Sequence, residues 1–158
     1  MINTPTLPFT KAQAISKAEF YCAYQERSVY EVQNKLAGWN LSESDSKEII
    51  AHLVEENFLN EERFAEAYTF GKFRSNGWGK LKIKQALKVK KISQELITKS
   101  LQKIDDGTYL EKLTHLIEKK VLLLAEKEPY KRRQQLLQYA LTKGYEQDFI
   151  FDVLNRIK

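Results

Sequence analysis

Between residues 72 and 103 the chain carries 10 basic side chains and a single acid, Glu95. Within that stretch Lys80, Lys84, Lys88 and Lys91 recur at i, i+4, i+8 and i+11, a stripe down one helix surface. Lys82 and Lys90 lie off the stripe, and Lys72 and Arg74 approach from the preceding segment. Like charges four residues apart destabilise an isolated helix by about 0.2–0.5 kcal/mol per pair, so stability alone would have mixed in glutamate. Phosphates account for the stripe, because each one neutralised releases counterions and gives salt-dependent binding. Lysine is a point charge suited to phosphate, whereas base reading favours the arginine fork. The pattern therefore points to contact with a polyanion, or an acidic protein surface, without sequence specificity.

Aromatic residues interleave the same region. Phe73 and Trp78 are the better candidates for base-stacking on single-stranded DNA, the alternative being that they are core. A second basic cluster, Lys131-Arg132-Arg133, is either an auxiliary contact or a solvated face.

Other chemistries find no residues to carry them. The sequence has no G-x-x-x-x-G-K-S/T loop and no G-x-G-x-x-G after a strand. Its two histidines, His52 and His115, fall in different helices with no second cysteine nearby, so no zinc set and no metal site is expected. Glu61-Glu62 suits a helix first turn and Asp105-Asp106-Gly107 a turn, which leaves no catalytic pair. Cys22 sits at an apolar helical position and reads as an inert core thiol. No enzyme and no cofactor are expected.

The whole chain of 158 residues has a net charge of +5, distributed as −5 over residues 1–71, +9 over 72–103 and +1 over 104–158. Hydrophobic residues make up 42%, too many for a disordered chain. The longest strongly apolar run, Val121 to Ala125, is far short of the roughly 20 residues that span a bilayer. Residues 1–10 show no basic segment followed by an apolar core. With one cysteine, the expected setting is the reducing cytoplasm, away from membranes.

Apolar positions recur at three and four throughout, predicting an all-α chain of nine helices after a flexible segment at residues 1–9. Helices are expected at Lys11 to Gln25, after a Ser28 cap to Gly38, and after a Ser42–Asp45 capping box through Val54. A fourth starts at Asn60 with Phe64, Ala67, Tyr68 and Gly71 on its inner face, and a fifth runs from Trp78 to Lys90. A sixth follows Ser93 and ends at Asp105-Asp106-Gly107; the seventh runs from Thr108 to Ala125, the eighth from Pro129 to Gly144, and a ninth carries Phe149, Ile150 and Leu154. Ile92, Leu96, Ile97, Leu101 and Ile104 repeat 53 positions later as Tyr145, Phe149, Ile150, Leu154 and Ile157. Ile49, Ile50 and Val54 match the interior of that pattern 47 positions before Leu96, Ile97 and Leu101. Three three-helix repeats follow, at 10–58, 59–104 (the basic one) and 105–158.

The run from Phe58 through Asn60-Glu61-Glu62-Arg63-Phe64-Ala65 to Tyr68, then Gly77-Trp78-Gly79, Lys82-Ile83 and Leu87, resembles the core of the RecX regulatory proteins. Cys22, Glu26-Arg27-Ser28, Lys35-Leu36 and Trp39 match upstream, and Leu141, Lys143-Gly144-Tyr145 and Asp152-Val153-Leu154 match downstream. Two positions depart: Lys91 stands where that family usually has glycine, and Tyr24 where a basic residue is common. The resemblance implies an elongated, curved chain of three tandem three-helix repeats with no catalysis of its own. It implies binding to the RecA recombinase and its nucleoprotein filament on single-stranded DNA, with inhibition of ATPase and strand exchange. Recombinational repair and the SOS response would be modulated accordingly. Together with the charge pattern it nominates Lys72, Arg74, Lys80, Lys82, Lys84, Lys88 and Lys91 as contacts, while Arg63, Phe64 and Tyr68 hold the module together. A monomer is expected. The alternative is a general DNA-binding helical protein that competes for single-stranded DNA, with double-stranded DNA as a further ligand.

Overall fold

Caps and breakers mark the helix ends in the computed structural model, which describes residues 9–157. Among the described residues there are nine helices and no strand: α1 (Lys11–Tyr24), α2 (Val29–Gly38), α3 (Glu43–Glu55), α4 (Glu61–Asn76), α5 (Lys80–Val89), α6 (Gln94–Gln102), α7 (Asp106–Leu123), α8 (Pro129–Lys143) and α9 (Gln147–Arg156). Thr10 and Ser28 open α1 and α2 with reciprocal capping boxes to Gln13 and Glu31. Ser42, Ser93 and Asp105 each accept the backbone N–H three residues on. Apart from Phe9, the flexible segment expected at residues 1–9 lies outside the described residues.

The differences from the sequence reading have local causes. Asp105-Asp106-Gly107 does not end α6; Asp105 caps α7, and its carboxyl is held below the usual range by the Thr108 hydroxyl and N–H. The fifth helix is shorter than 78–90, because Trp78-Gly79 form the approach to it and Lys91 is left-handed, with φ +61°. On α4 the buried face is Phe64, Ala65, Thr69 and Phe73, not Ala67, Tyr68 and Gly71. Thr69 hid this face, since a hydroxyl reads as surface; here it donates to the buried Ser100 Oγ at 3.1 Å. Val54, placed in the α3 core by its spacing, is 52% exposed.

Two compact units result. The first ends at Phe64 and also takes Lys90–Ile92; the second holds Ala65–Val89 and the chain from Ser93 onward. In the first, α1, α2 and α3 pack on one another and bury Ala14, Ala18, Cys22, Val32, Leu36, Ile49, Leu53 and Leu59. Burial pushes the Cys22 thiol up to about 11, so the sulfur is an inert core group. Arg63 fastens the start of α4 within this unit, donating to Glu26 at 2.8 Å and to the Asn57 side chain and carbonyl, both at 3.0 Å. The Arg of the Arg-Phe-Ala run is thus a clamp on neighbouring chain ends. In the second unit α7, α8 and α9 pack pairwise, α5 packs on α6, and the buried rings of Phe73 and Tyr109 stack with centroids 6.0 Å apart.

The repeat has a backbone landmark. Lys91 and Gly144 are both left-handed and both stand two residues before a helix N-cap, Ser93 and Glu146, which upholds the displacement of 53. The equivalent early residue is Asn40, at φ +61° and two before the Ser42 cap. The displacement from the first repeat to the second is therefore 51 and not 47, which pairs Ile49 with Ser100 and Leu53 with Ile104, all buried. Counting hydrophobic positions alone slipped the register by about one helical turn.

Candidate nucleic-acid interface

A helix begins with backbone N–H groups that have no partner inside it. In α5 and its approach those donors go to the end of α8. Gly79 N–H donates to the Lys143 carbonyl at 2.8 Å and Leu81 N–H to the Gly144 carbonyl at 3.0 Å. Between them, Lys80 N–H donates to the Tyr109 hydroxyl at 2.9 Å. The carbonyls at the end of α8 are themselves orphans, so two helix ends satisfy each other. Such an approach requires glycine on both sides. A Cβ on Gly79 would stand 2.4 Å from the Gly144 carbonyl, and one on Gly144 would stand 2.4 Å from the Lys82 Cβ.

The Tyr109 hydroxyl also donates to the Glu146 carboxylate, and burial drives its pKa well above the ordinary phenol range. The end of α4 is held in the same way. Lys112 and Lys143 donate to the Arg74 and Asn76 carbonyls, each at 3.0 Å, and the Tyr145 hydroxyl to the Gly77 carbonyl at 3.1 Å. Both ends of the 77–79 turn are therefore fixed before any side chain of α5 is placed.

From that seat the lysines diverge. Four residues overshoot a helical turn by about 40°, so Lys80, Lys84 and Lys88 move steadily away from the buried Ile83–Leu87 face. Lys80, nearest that face, donates to the Ile104 carbonyl at 3.1 Å and lies 4.9 Å from the centre of the Tyr109 ring. It is a tether of this unit and not a free contact, which corrects its place in the stripe. Lys84 is half-exposed and Lys88 exposed, and neither has an ion-pair or hydrogen-bond partner among the described residues. Lys82 emerges on the opposite flank of the helix, over Trp78.

Trp78 gathers a cluster of its own. The Lys72 and Lys82 ammonium groups lie 4.9 and 4.8 Å from the centre of its ring, and Lys72 also reaches Tyr68 at 5.5 Å. Two cations on one indole polarise its face. Trp78 is half-exposed, as a stacking platform requires, whereas Phe73 is 4% exposed and stacked on Tyr109. Phe73 is thus a core ring, the alternative that the sequence left open beside stacking. Tyr68, read as internal, joins the cluster instead; its spacing of four from Lys72 was the signal. Arg74 is exposed with its guanidinium 4.8 Å from the centre of the Phe70 ring. Lys91 lies beyond the helix, in the segment that belongs to the first unit, with its ammonium 5.3 Å from the Tyr30 ring.

The second basic cluster is partly structural. Arg132 donates to the Glu126 carbonyl at 3.0 Å and Arg133 to the Asn155 side chain at 2.9 Å, leaving Lys131 as its exposed member. Among the described residues no three His, Cys, Asp or Glu side chains gather as a metal set, and no helix is long and apolar enough to cross a membrane.

Residues 60–101 match the model of the second three-helix domain of RecX, and residues 108–154 that of the third. The chain is 36% identical over 129 residues to the regulatory protein RecX of Clostridium perfringens strain 13, covering 80% of this chain and 60% of that one. To the regulatory protein RecX of Lactobacillus johnsonii it is 31% identical over 140 residues, covering 87% of this chain and 51% of that one. The chain thus spans between half and 60% of the length of these two relatives. Among crystal structures, RecX from Lactobacillus salivarius superposes with a TM-score of 0.84 at 26% identity, over 93% of this chain and 96% of that one.

Proposed function

The chain belongs to the RecX family of regulatory proteins, and on that premise we propose that it binds the RecA recombinase and its filament on single-stranded DNA. It restrains ATPase turnover and strand exchange by binding, with no reaction of its own, and so modulates recombinational repair and the SOS response in the cytoplasm. Its repeats, on this reading, are 10–58, 59–104 and 105–158, and it acts as a monomer.

The carrying observation is the set of uncompensated cations on one locked helix. Lys82, Lys84 and Lys88 have no carboxylate partner among the described residues, although such partners would stabilise α5. With Lys72 and Arg74 they offer charge to phosphates, and the half-exposed Trp78 ring beside them is the surface on which a base would stack. Lys91 and Lys131 are auxiliary contacts.

The test is a titration of the protein into the cognate recombinase's ATPase reaction on single-stranded DNA, at two salt concentrations. Replacing Lys82, Lys84 and Lys88 together by Glu, with Lys80 retained for its tether, should raise the inhibitory concentration at least tenfold and leave helical content unchanged. Full inhibition by that variant would overturn the assignment. Retention of the wild-type chain on DNA-free recombinase at moderate salt is also expected; failure to bind would favour simple competition for the strand.

A further inference from the structure

Although the chain through Gly71 carries a net −5, the first unit holds a groove without a single carboxylate. The groove, about 640 Å³, runs beside α1 and α2. Its rings are Phe20, Tyr21, Tyr24 and Trp39, and its charged groups are Lys17, Arg27 and Lys35. Two cations lie against Tyr21, the Arg27 guanidinium 3.7 Å and the Lys35 ammonium 5.2 Å from its ring centre. Arg27 is fixed there by donating to the Tyr21 carbonyl at 2.9 Å. Phe20 and Tyr24, one turn apart on α1, are 73% and 75% exposed.

The acids of α1, α2 and the turn between them are turned to other work. Glu19 lies 2.8 Å from the His52 ring nitrogen and Glu26 holds Arg63 at 2.8 Å. Glu31 accepts from Lys90 at 2.9 Å and from the Ser28 N–H at 3.0 Å. None of them neutralises the groove. Two exposed rings side by side on one groove are the kind of contiguous surface that marks an interaction site. The three neighbouring cations, Lys17 over the Phe9 ring at 4.7 Å and Arg27 and Lys35 over Tyr21, favour an anionic cover.

We propose that this groove on the first unit takes unpaired bases of single-stranded nucleic acid. A base offers a flat π-face to Phe20 or Tyr24, and its phosphate meets Lys17, Arg27 or Lys35, so one ligand satisfies rings and cations alike. A duplex keeps its bases stacked and offers only phosphates. The inference concerns the free chain and a free strand, and does not rest on the recombinase reading.

The test measures anisotropy of labelled oligo(dT), and of an abasic strand of equal length, with the full chain. Wild type should prefer oligo(dT), and Phe20→Ala/Tyr24→Ala should lose about tenfold or more in affinity for it while leaving the abasic strand unaffected. The triple variant at Lys82, Lys84 and Lys88 should keep the preference, which separates this groove from the lysine helix. Equal affinity for the two strands, or an unchanged double variant, would overturn the proposal. So would poly-glutamate binding as tightly as oligo(dT) and being lost in the same variant, since that would assign the groove to an acidic protein segment.

Discussion

Replacing Gly79 by Ala should unseat the lysine helix. The added Cβ would lie 2.4 Å from the Gly144 carbonyl carbon and oxygen and 2.6 Å from the Tyr145 nitrogen, all backbone atoms with no rotamer to yield. Relief to ordinary contact needs a displacement of about 1 Å, since packed carbons sit about 3.5–4.0 Å apart. That displacement lengthens both bonds that hold the approach, Gly79 to Lys143 at 2.8 Å and Leu81 to Gly144 at 3.0 Å, beyond hydrogen-bond range. Gly79 is buried, so its stranded N–H costs about 1–3 kcal/mol, and the more exposed Leu81 bond about 0.5–1.5 kcal/mol. The expected loss is about 2–4 kcal/mol, a large share of the roughly 5–15 kcal/mol of a typical domain.

The chain carries two tryptophans, Trp39 in the first unit and Trp78 in the second. In a Trp39→Phe background, urea unfolding followed by Trp78 emission reports the second unit alone. At an m-value of about 1–3 kcal/mol/M the midpoint should fall by about 1 M or more. Gly71→Ala is the control: it lies mid-helix in α4 with nothing within 4 Å of the new Cβ, and should gain up to about 1 kcal/mol. An unchanged midpoint for Gly79→Ala would show that the helix ends are not held by this approach.

Two further outcomes follow from the first unit. Lys91→Gly should raise stability by about 0.5–1 kcal/mol, because Lys91 holds φ +61° at a strain glycine does not bear; no gain in a urea titration would mean the turn carries none. Cys22, with its thiol raised from 9.0 to about 11, keeps its proton in the folded chain where the unfolded chain would lose it. Its contribution to stability is whole below pH 9 and is lost as pH rises towards about 11. A Cys22→Ala variant should lack that part of the alkaline decline, and an identical pH profile would refute it.

The helices and their caps were legible because both are local. Apolar spacing and a Ser ahead of it act within a few residues, so the caps Ser28, Ser42 and Ser93 fall where the sequence places them. The left-handed turn at Lys91 was foreshadowed as well, since the resemblance puts glycine there. The lysine helix was readable as charge but not as a surface. Whether a lysine is a contact or a tether depends on acceptors supplied from far along the chain: Ile104 takes the Lys80 ammonium, while Lys84 and Lys88 meet none among the described residues. Phe73 and Trp78 look alike in sequence, and Phe73 is the one buried, stacked on Tyr109 from 36 positions further along the chain. The groove on the first unit was hidden by an acidic average, because the neighbouring Glu19, Glu26 and Glu31 pair with His52, Arg63 and Lys90 instead. Composition and periodicity thus determined an all-helical, repeated, basic-centred chain. The division of its cations and rings into working and structural groups was decided by long-range packing, because burial and hydrogen-bond partnership are set by residues distant in sequence.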